Sequence, residues 1–315
     1  MEYKCLLNGE RVLLSGEPTE RLRDVLYRTG CYSVRDSDDA EGFAGSDTIV
    51  FNSRLKYANF ILLYQAEGAE IRTAESLLTG TELNYVQKAM ISAGIVQSAY
   101  NAPAAALILT WLLEKHPNPT REQIREVLTS IFIRDAGYEH YYLAVKLACE
   151  LRDTGAYQSE IAPSFRASLR FIGKPEEKVD AAPLISGERA FVEDYVSQDT
   201  CFMALLRSPH AHAYIRSIDC SRAEALPGVV TVITAANCPD IYYMQAGQGS
   251  PEPSPHDRRL FNWKVRHVGD RVAAVVAETL EIAREAVSLI EVEYELLKPV
   301  FTVEEAMAEG APLEI

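Results

Sequence analysis

The hydrophobic period of this chain changes along its length, and a segment with one period cannot continue a layer built by a segment with another. Up to about residue 75 the apolar positions fall in short strand-like runs broken by turn residues. Tyr3 to Leu7 and Glu10 to Leu14 flank Asn8-Gly9, the pair that best tolerates the positive φ angles of a tight turn, so a β-hairpin is expected there. A helix is expected from Thr19 to Thr29, a second hairpin at Thr48 to Phe51 and Arg54 to Tyr57, and a last strand at Glu70 to Thr73. Together these describe a small α+β domain of β-grasp type.

From Thr81 the period becomes helical, with Leu83, Val86, Met90 and Ile91 on one face. Asn101 is placed to cap a second helix and Pro103 fits its first turn. Thr120 and Gln123 form a capping-box pattern ahead of Ile124, Val127 and Leu128, and Tyr141 to Arg152 supplies a further helix. Trp111 lies in the apolar stripe of this helical module and reads as a core residue. Between Asp153 and Gly187 periodicity is lost and Pro163, Pro175 and Pro183 appear, as in a surface crossing between domains. Strands are then expected at Cys201 to Arg207, Tyr214 to Ile218, Val229 to Thr234 and Arg271 to Ala277. The last is nearly continuous in apolar residues, which suits a central strand. A helix at Glu278 to Leu289 and a strand at Ile290 to Tyr294 complete an α/β unit.

Bulk properties exclude several functions. At 315 residues with 48% hydrophobic content, the chain exceeds what one ordinary core holds. A formal net charge of -14 with no Lys/Arg run repels phosphate backbones and anionic lipid, so neither nucleic acid nor membrane is an expected partner. The start, MEYKCLLNGE, lacks the apolar region of a signal peptide. The longest apolar stretch, Ala102 to Leu113, falls short of the roughly 20 residues that cross a bilayer. A cytoplasmic location is expected. Cys5, Cys31, Cys149, Cys201, Cys220 and Cys238 are too scattered for a disulfide framework or a zinc knuckle, and read as reduced thiols.

Local signals for other chemistry are weak. The acidic loop Asp36 to Asp47 fails as an EF-hand, because a register starting at Asp36 puts Ala40 at a ligand position and Glu41 where glycine is required. His210 and His212 would share one face of a strand, but no third metal ligand can be named. Gly247-Gln248-Gly249 has neither the preceding strand nor the following helix of a phosphate-binding loop. Nucleophile-elbow, P-loop and H-E-x-x-H patterns are absent.

Longer motifs carry a family likeness. Val96-Gln97-Ser98-Ala99-Tyr100-Asn101-Ala102-Pro103 resembles VQCGFCTP, and Ile133-Arg134-Asp135-Ala136-Gly137-Tyr138 resembles CRCTGY. Glu41-Gly42-Phe43-Ala44-Gly45-Ser46-Asp47-Thr48 lies over an EGxCGACT loop. These are motifs of the two-part iron–sulfur module of xanthine dehydrogenases and aldehyde oxidases, a β-grasp domain followed by a four-helix domain. Gly173-Lys174-Pro175, the stretch from Arg207 to Ala213, Ala225-Leu226-Pro227-Gly228-Val229-Val230 and the run from Val268 to Thr279 are similar to the α/β hammerhead domain that follows. Selenium-dependent xanthine dehydrogenases show the nearest likeness within the family.

The resemblance implies a domain order: β-grasp over 1–78, four-helix over 79–153, linker over 154–187 and hammerhead over 188–310. It also implies eight cluster-cysteine positions, and this chain has none of those cysteines. They are Asp39, Ala44, Asp47 and Asn59 in the first domain, and Ser98, Asn101, Ile133 and Asp135 in the second. A [2Fe–2S] cluster needs thiolate or imidazole ligands, whereas alanine and isoleucine offer no lone pair and carboxylates suit harder cations. Asp, Asn and Ser can instead hold loops through side-chain to backbone hydrogen bonds. The expectation is a retained fold with no cofactor of its own and neither a catalytic nor a metal site. It would form the N-terminal segment of a purine-type molybdenum hydroxylase whose molybdopterin-type cofactor sits in later domains. Expected partners are those molybdenum-binding domains or a subunit carrying them, and a flavin or other electron-transfer subunit. The alternative is a free-standing assembly or interaction module derived from such an enzyme.

Overall fold

The structure is a computed structural model and describes residues 1–36, 43–159, 176–197, 199–244 and 256–312. The chain divides into two units, Met1–Tyr195 and Val196–Ile315.

In the first unit, β1 (Glu2–Leu7) and β2 (Glu10–Ser15) form the expected hairpin, with Asn8 and Gly9 both at positive φ. α1 (Leu22–Arg28) starts later than expected, because Arg21 is extended and bridges Leu62 instead of entering the helix. β3 (Thr48–Phe51) and β4 (Arg54–Tyr57) make the second hairpin, turned at Asn52 and Ser53 with φ of 47° and 65°. β5 (Glu70–Arg72) inserts between the hairpins, parallel to β1 and antiparallel to β3, giving the order β2-β1-β5-β3-β4. Leu22, Val25 and Leu26 of α1 share a core with Leu14, Ile49, Leu63 and Ile71, which fixes a β-grasp domain by apolar burial.

Four helices follow. α2 (Tyr85–Ser92) is capped by Asn84, whose side chain accepts from the Gln87 amide; it starts later than the expected Thr81, and Thr79 and Glu82 form an isolated bridge. α3 (Ala102–Lys115) is buried along most of its length, including Leu107, Ile108 and Leu109. α4 (Arg121–Leu128) begins with the Thr120/Gln123 capping box read from the sequence, and α5 (Tyr138–Thr154) closes the bundle. Trp111 is only partly buried, and its indole N–H donates to Ser53 O at 3.1 Å, joining α3 to the β3–β4 turn.

Part of the expected linker is core. Residues 160–175, with Gly173-Lys174-Pro175, lie outside the described residues, but α6 (Ala181–Ser186) buries Ala181 and Ile185 in the helical core. Gln87 Nε2 donates to Ile185 O at 3.1 Å. Pro183 falls inside that first turn, where its missing N–H is harmless, so the proline does not mark a break.

The second unit contains β6 (Phe202–Arg207), β7 (Ala213–Asp219), α7 (Ser221–Glu224), β8 (Val229–Thr234), β9 (Lys264–Val265), β10 (Arg271–Ala277), α8 (Leu280–Ser288), β11 (Glu291–Leu296) and α9 (Val303–Met307). β10 is the central strand of an antiparallel sheet ordered β6-β10-β8, and β7 is central in a second sheet, β11-β7-β9. Ala223 of α7 and Ala286 of α8 meet Val232, Ala273 and Val275 of the first sheet. His210 and His212 fall in the bend before β7, not on a strand, because Ser208 Oγ donates to His210 O and accepts from His210 N. His212 Nδ1 lies 2.8 Å from Lys298 O, and the His210 ring edge meets Tyr294, so the two imidazoles do not form a pair. The Gly247 segment lies outside the described residues.

Candidate functional site

The positions that the resemblance assigns to cluster ligands form two polar pockets in the first unit, linked by a bond from Asn101 to Ala44. Asp39 lies outside the described residues. Asp47 immediately precedes β3 and Asn59 follows β4, so the hairpin brings the two together. The Asn59 amide donates to Asp47 Oδ2 at 2.8 Å, and Asn59 Nδ2 donates to Asp36 Oδ1 at 3.0 Å. Arg21 pairs with the other oxygen of Asp36 at 3.3 Å. Asp47 is 0% exposed and has no ion-pair partner among the described residues. Burial pushes its carboxyl above the usual range, against the lowering effect of the Asn59 amide. Asp47 Oδ1 and Asn59 Oδ1 are both buried without a hydrogen-bond partner.

In the second pocket, Ser98 Oγ donates to Asp135 Oδ2 at 3.3 Å and accepts from the Tyr100 amide at 3.3 Å. Asn101 does not cap α3 with its side chain: Nδ2 instead reaches Ala44 O at 3.2 Å, and Oδ1 is left buried and unpartnered. The side chain is oriented by its long-range donor bond, and the oxygen that would have accepted the local cap stays unused. Ile133 lines an apolar recess with Leu128, Phe132 and Tyr141. The structure therefore joins Asp47 with Asn59, Ser98 with Asp135, and Asn101 with Ala44, and does not bring Ile133 to any polar partner.

A [2Fe–2S] cluster does not fit these residues. The described ligand positions offer a carboxylate and an amide in the first pocket, and a hydroxyl, an amide and a carboxylate in the second, with hydrocarbon at Ala44 and Ile133. Of the three thiols of this unit, Cys149 lies on α5 and Cys5 and Cys31 are buried in the β-grasp core. Burial raises both, Cys31 to about 12, which disfavours the thiolate that iron requires. Among the described residues no group of three or more His, Cys, Asp or Glu side chains could hold a metal ion.

Ordinary hydrogen bonds hold the described ends of the acidic segment, residues 35–36 and 43–46. The Arg35 amide donates to Ser46 O and Ser46 Oγ donates to Arg35 O, both at 3.2 Å. The Phe132 amide donates to Phe43 O at 3.0 Å, and the Tyr57 hydroxyl to Ser130 O at 3.1 Å. Gly45 sits at φ 67°, and a Cβ there would lie 2.1 Å from Ser130 O, so no other residue fits without moving backbone. The Tyr100 hydroxyl donates to Asp36 O. Sequence reasoning did not find Arg35, Tyr57 or Tyr100, since each acts through a partner far along the chain.

Comparison with known proteins fits this geometry. Residues 73–146 match a "[2Fe-2S] binding domain", and residues 186–298 match the "Aldehyde oxidase and xanthine dehydrogenase, a/b hammerhead domain". The first of these stretches contains no cysteine. The chain is 54% identical over 307 residues to the probable hypoxanthine oxidase XdhD of Escherichia coli O157:H7, covering 98% of this chain and 32% of that one. It is 38% identical over 138 residues to the xanthine dehydrogenase molybdenum-binding subunit of the same organism, covering 42% of this chain and 18% of that one. The aldehyde oxidoreductase of Desulfovibrio desulfuricans superposes on 99% of this chain and 35% of its own with a TM-score of 0.83 at 26% identity. The fold is thus a β-grasp domain, a four-helix domain of [2Fe–2S]-binding type and an α/β hammerhead. The chain belongs to the xanthine dehydrogenase and aldehyde oxidase family, and spans about a third of the length of the curated relatives it matches.

Proposed function

We propose that this chain is the N-terminal segment of a xanthine dehydrogenase-like molybdenum hydroxylase, structural in role, holding neither iron–sulfur cluster nor a molybdenum site. The observation that carries this reading is the donor set: oxygen, amide and hydrocarbon groups stand at every described ligand position, and Asp47, Asn59, Ser98, Asn101 and Asp135 make hydrogen bonds within the protein. The substrate class is a purine or related N-heterocycle, supported by the 54% identical relative whose name is that of a probable hypoxanthine oxidase. Selenium dependence belongs to the same reading and rests on the sequence likeness.

Its partners are the molybdenum-binding domains or a subunit that carries them, as the likeness to a molybdenum-binding subunit supports. Electrons leaving the molybdenum centre would bypass this segment and reach a flavin or other electron-transfer subunit by another route. A net charge of -14 argues against nucleic acid. Among the described residues no helix is long and apolar enough to cross a membrane. Six unpaired cysteines support a cytoplasmic setting.

Electron paramagnetic resonance of the dithionite-reduced, anaerobically purified protein tests the reading. A silent spectrum is expected, and a signal from reduced paired iron overturns it. Co-expression with a molybdenum-binding subunit separates this role from that of a free-standing interaction module: a stable complex is expected, and a chain that stays alone supports the module.

A further inference from the structure

The ends of the loop at the first pocket are tied to a distant strap of the same unit. The strap, residues 187–195, follows α6, and its Asp194 is only 2% exposed. The Asp194 carboxylate accepts from both terminal nitrogens of Arg35, with Nη2 at 2.8 Å, and from the Tyr27 hydroxyl at 2.5 Å. It also accepts from the backbone amides of Ala190 at 2.8 Å and Phe191 at 2.9 Å. The Arg35 guanidinium lies over the Phe191 ring at 4.8 Å, and that ring meets Tyr100 edge-on at 6.4 Å. Arg35 thus bonds Ser46 through its backbone, closing the loop, and bonds the strap through its side chain.

The arrangement resembles a cross-link more than a surface ion pair. Both partners are buried, the contact is bidentate, and the remaining capacity of the carboxylate is filled by a hydroxyl and two amides. Residues 35 and 194 are 159 positions apart, so the pair joins segments that no local bond could hold together.

We propose that the Arg35–Asp194 clasp performs the joining that a cluster would perform in such a module: it couples closure of the loop ends, 35–36 and 43–46, to seating of the strap. The two segments then open together or not at all. This inference rests on the reading that the first pocket carries no cluster.

Hydrogen exchange on the full chain tests it, with peptides covering 33–36, 43–48 and 187–195 followed in the same sample. Arg35→Met is expected to speed exchange at least about tenfold in both the loop ends and the strap. Tyr27→Phe, which removes one donor to Asp194, is expected to speed both by about threefold. Arg121→Ala, which breaks an exposed pair with Glu139, is expected to change neither. Acceleration confined to the strap, or confined to the loop ends, overturns the clasp. If Arg35→Met does not fold, Tyr27→Phe and Asp194→Asn decide the matter by the same criterion. Iron bound to the unsubstituted protein would sink the cluster-free reading instead, and it is measured separately on the same preparation.

Discussion

Asp47 and Asp194 are both buried carboxylates of the first unit, and their surroundings push them in opposite directions. Asp47 receives one backbone amide on Oδ2 and nothing on Oδ1, and burial raises it. Asp194 is also pushed up by burial, but Arg35, Tyr27 and the amides of Phe191 and Ala190 outweigh that and hold it well below the usual carboxylate range. The contrast separates two ways of building polar groups into a small domain. One region is a network whose charge is matched and whose carboxylate is fully used, with Arg35 Nε left unpartnered. The other is a pocket whose acceptors are only half used, with Asp47 Oδ1 and Asn59 Oδ1 buried and unpartnered.

The largest break in this comparison comes from Arg35→Met, which leaves Asp194 buried without its cation. A loss of about 3–5 kcal/mol in urea unfolding is expected. Adding Asp194→Leu to that variant should recover much of the loss, because no unmatched charge remains. Next in size is Gly45→Ala, which forces a side chain into the left-handed region and against Ser130 O, at about 1–3 kcal/mol by the same measurement.

Asp47→Asn should be neutral or stabilise by about 1 kcal/mol at pH 7, since it keeps an acceptor for the Asn59 amide and removes a buried charge. The two acids also predict opposite pH slopes. With its folded value raised above 3.8, Asp47 binds its proton more tightly in the folded state, so its contribution is favourable at low pH and is lost as pH rises through the folded value. With its folded value depressed below 3.8, Asp194 contributes stability above that pH which is lost as the solution becomes more acid. Stability profiles of Asp47→Asn and Asp194→Asn against the unsubstituted chain should diverge in those senses, and parallel profiles would remove the contrast. The smallest effect is expected of Arg121→Ala, at about 0–1 kcal/mol.

What the sequence made legible follows from range. Hairpins turned by Asn8-Gly9 and the Thr120/Gln123 capping box depend on residues a few positions apart, and both stand where local chemistry puts them. The second hairpin was also readable, although its Asn-Ser turn is less favoured than Asn-Gly. Asn101 stands at the N-cap of α3 as read, but its side chain makes no capping bond: Nδ2 donates to Ala44 O, 57 residues away, and Oδ1 is left unpartnered. Helix α6 was missed because three prolines suggested an unbroken linker, whereas burial of Ile185 against the bundle outweighs a weak local pattern. The eight ligand positions were visible only through resemblance. The clasp at Asp194 carried no local signal, since its meaning depends on an arginine 159 residues earlier.

Iron and acid-labile sulfide, counted per chain in protein purified and handled without oxygen after expression in iron-replete cells, test the central claim most directly. The account predicts neither element above background, with the fold intact. Two irons and two sulfides per chain, or more, would contradict it.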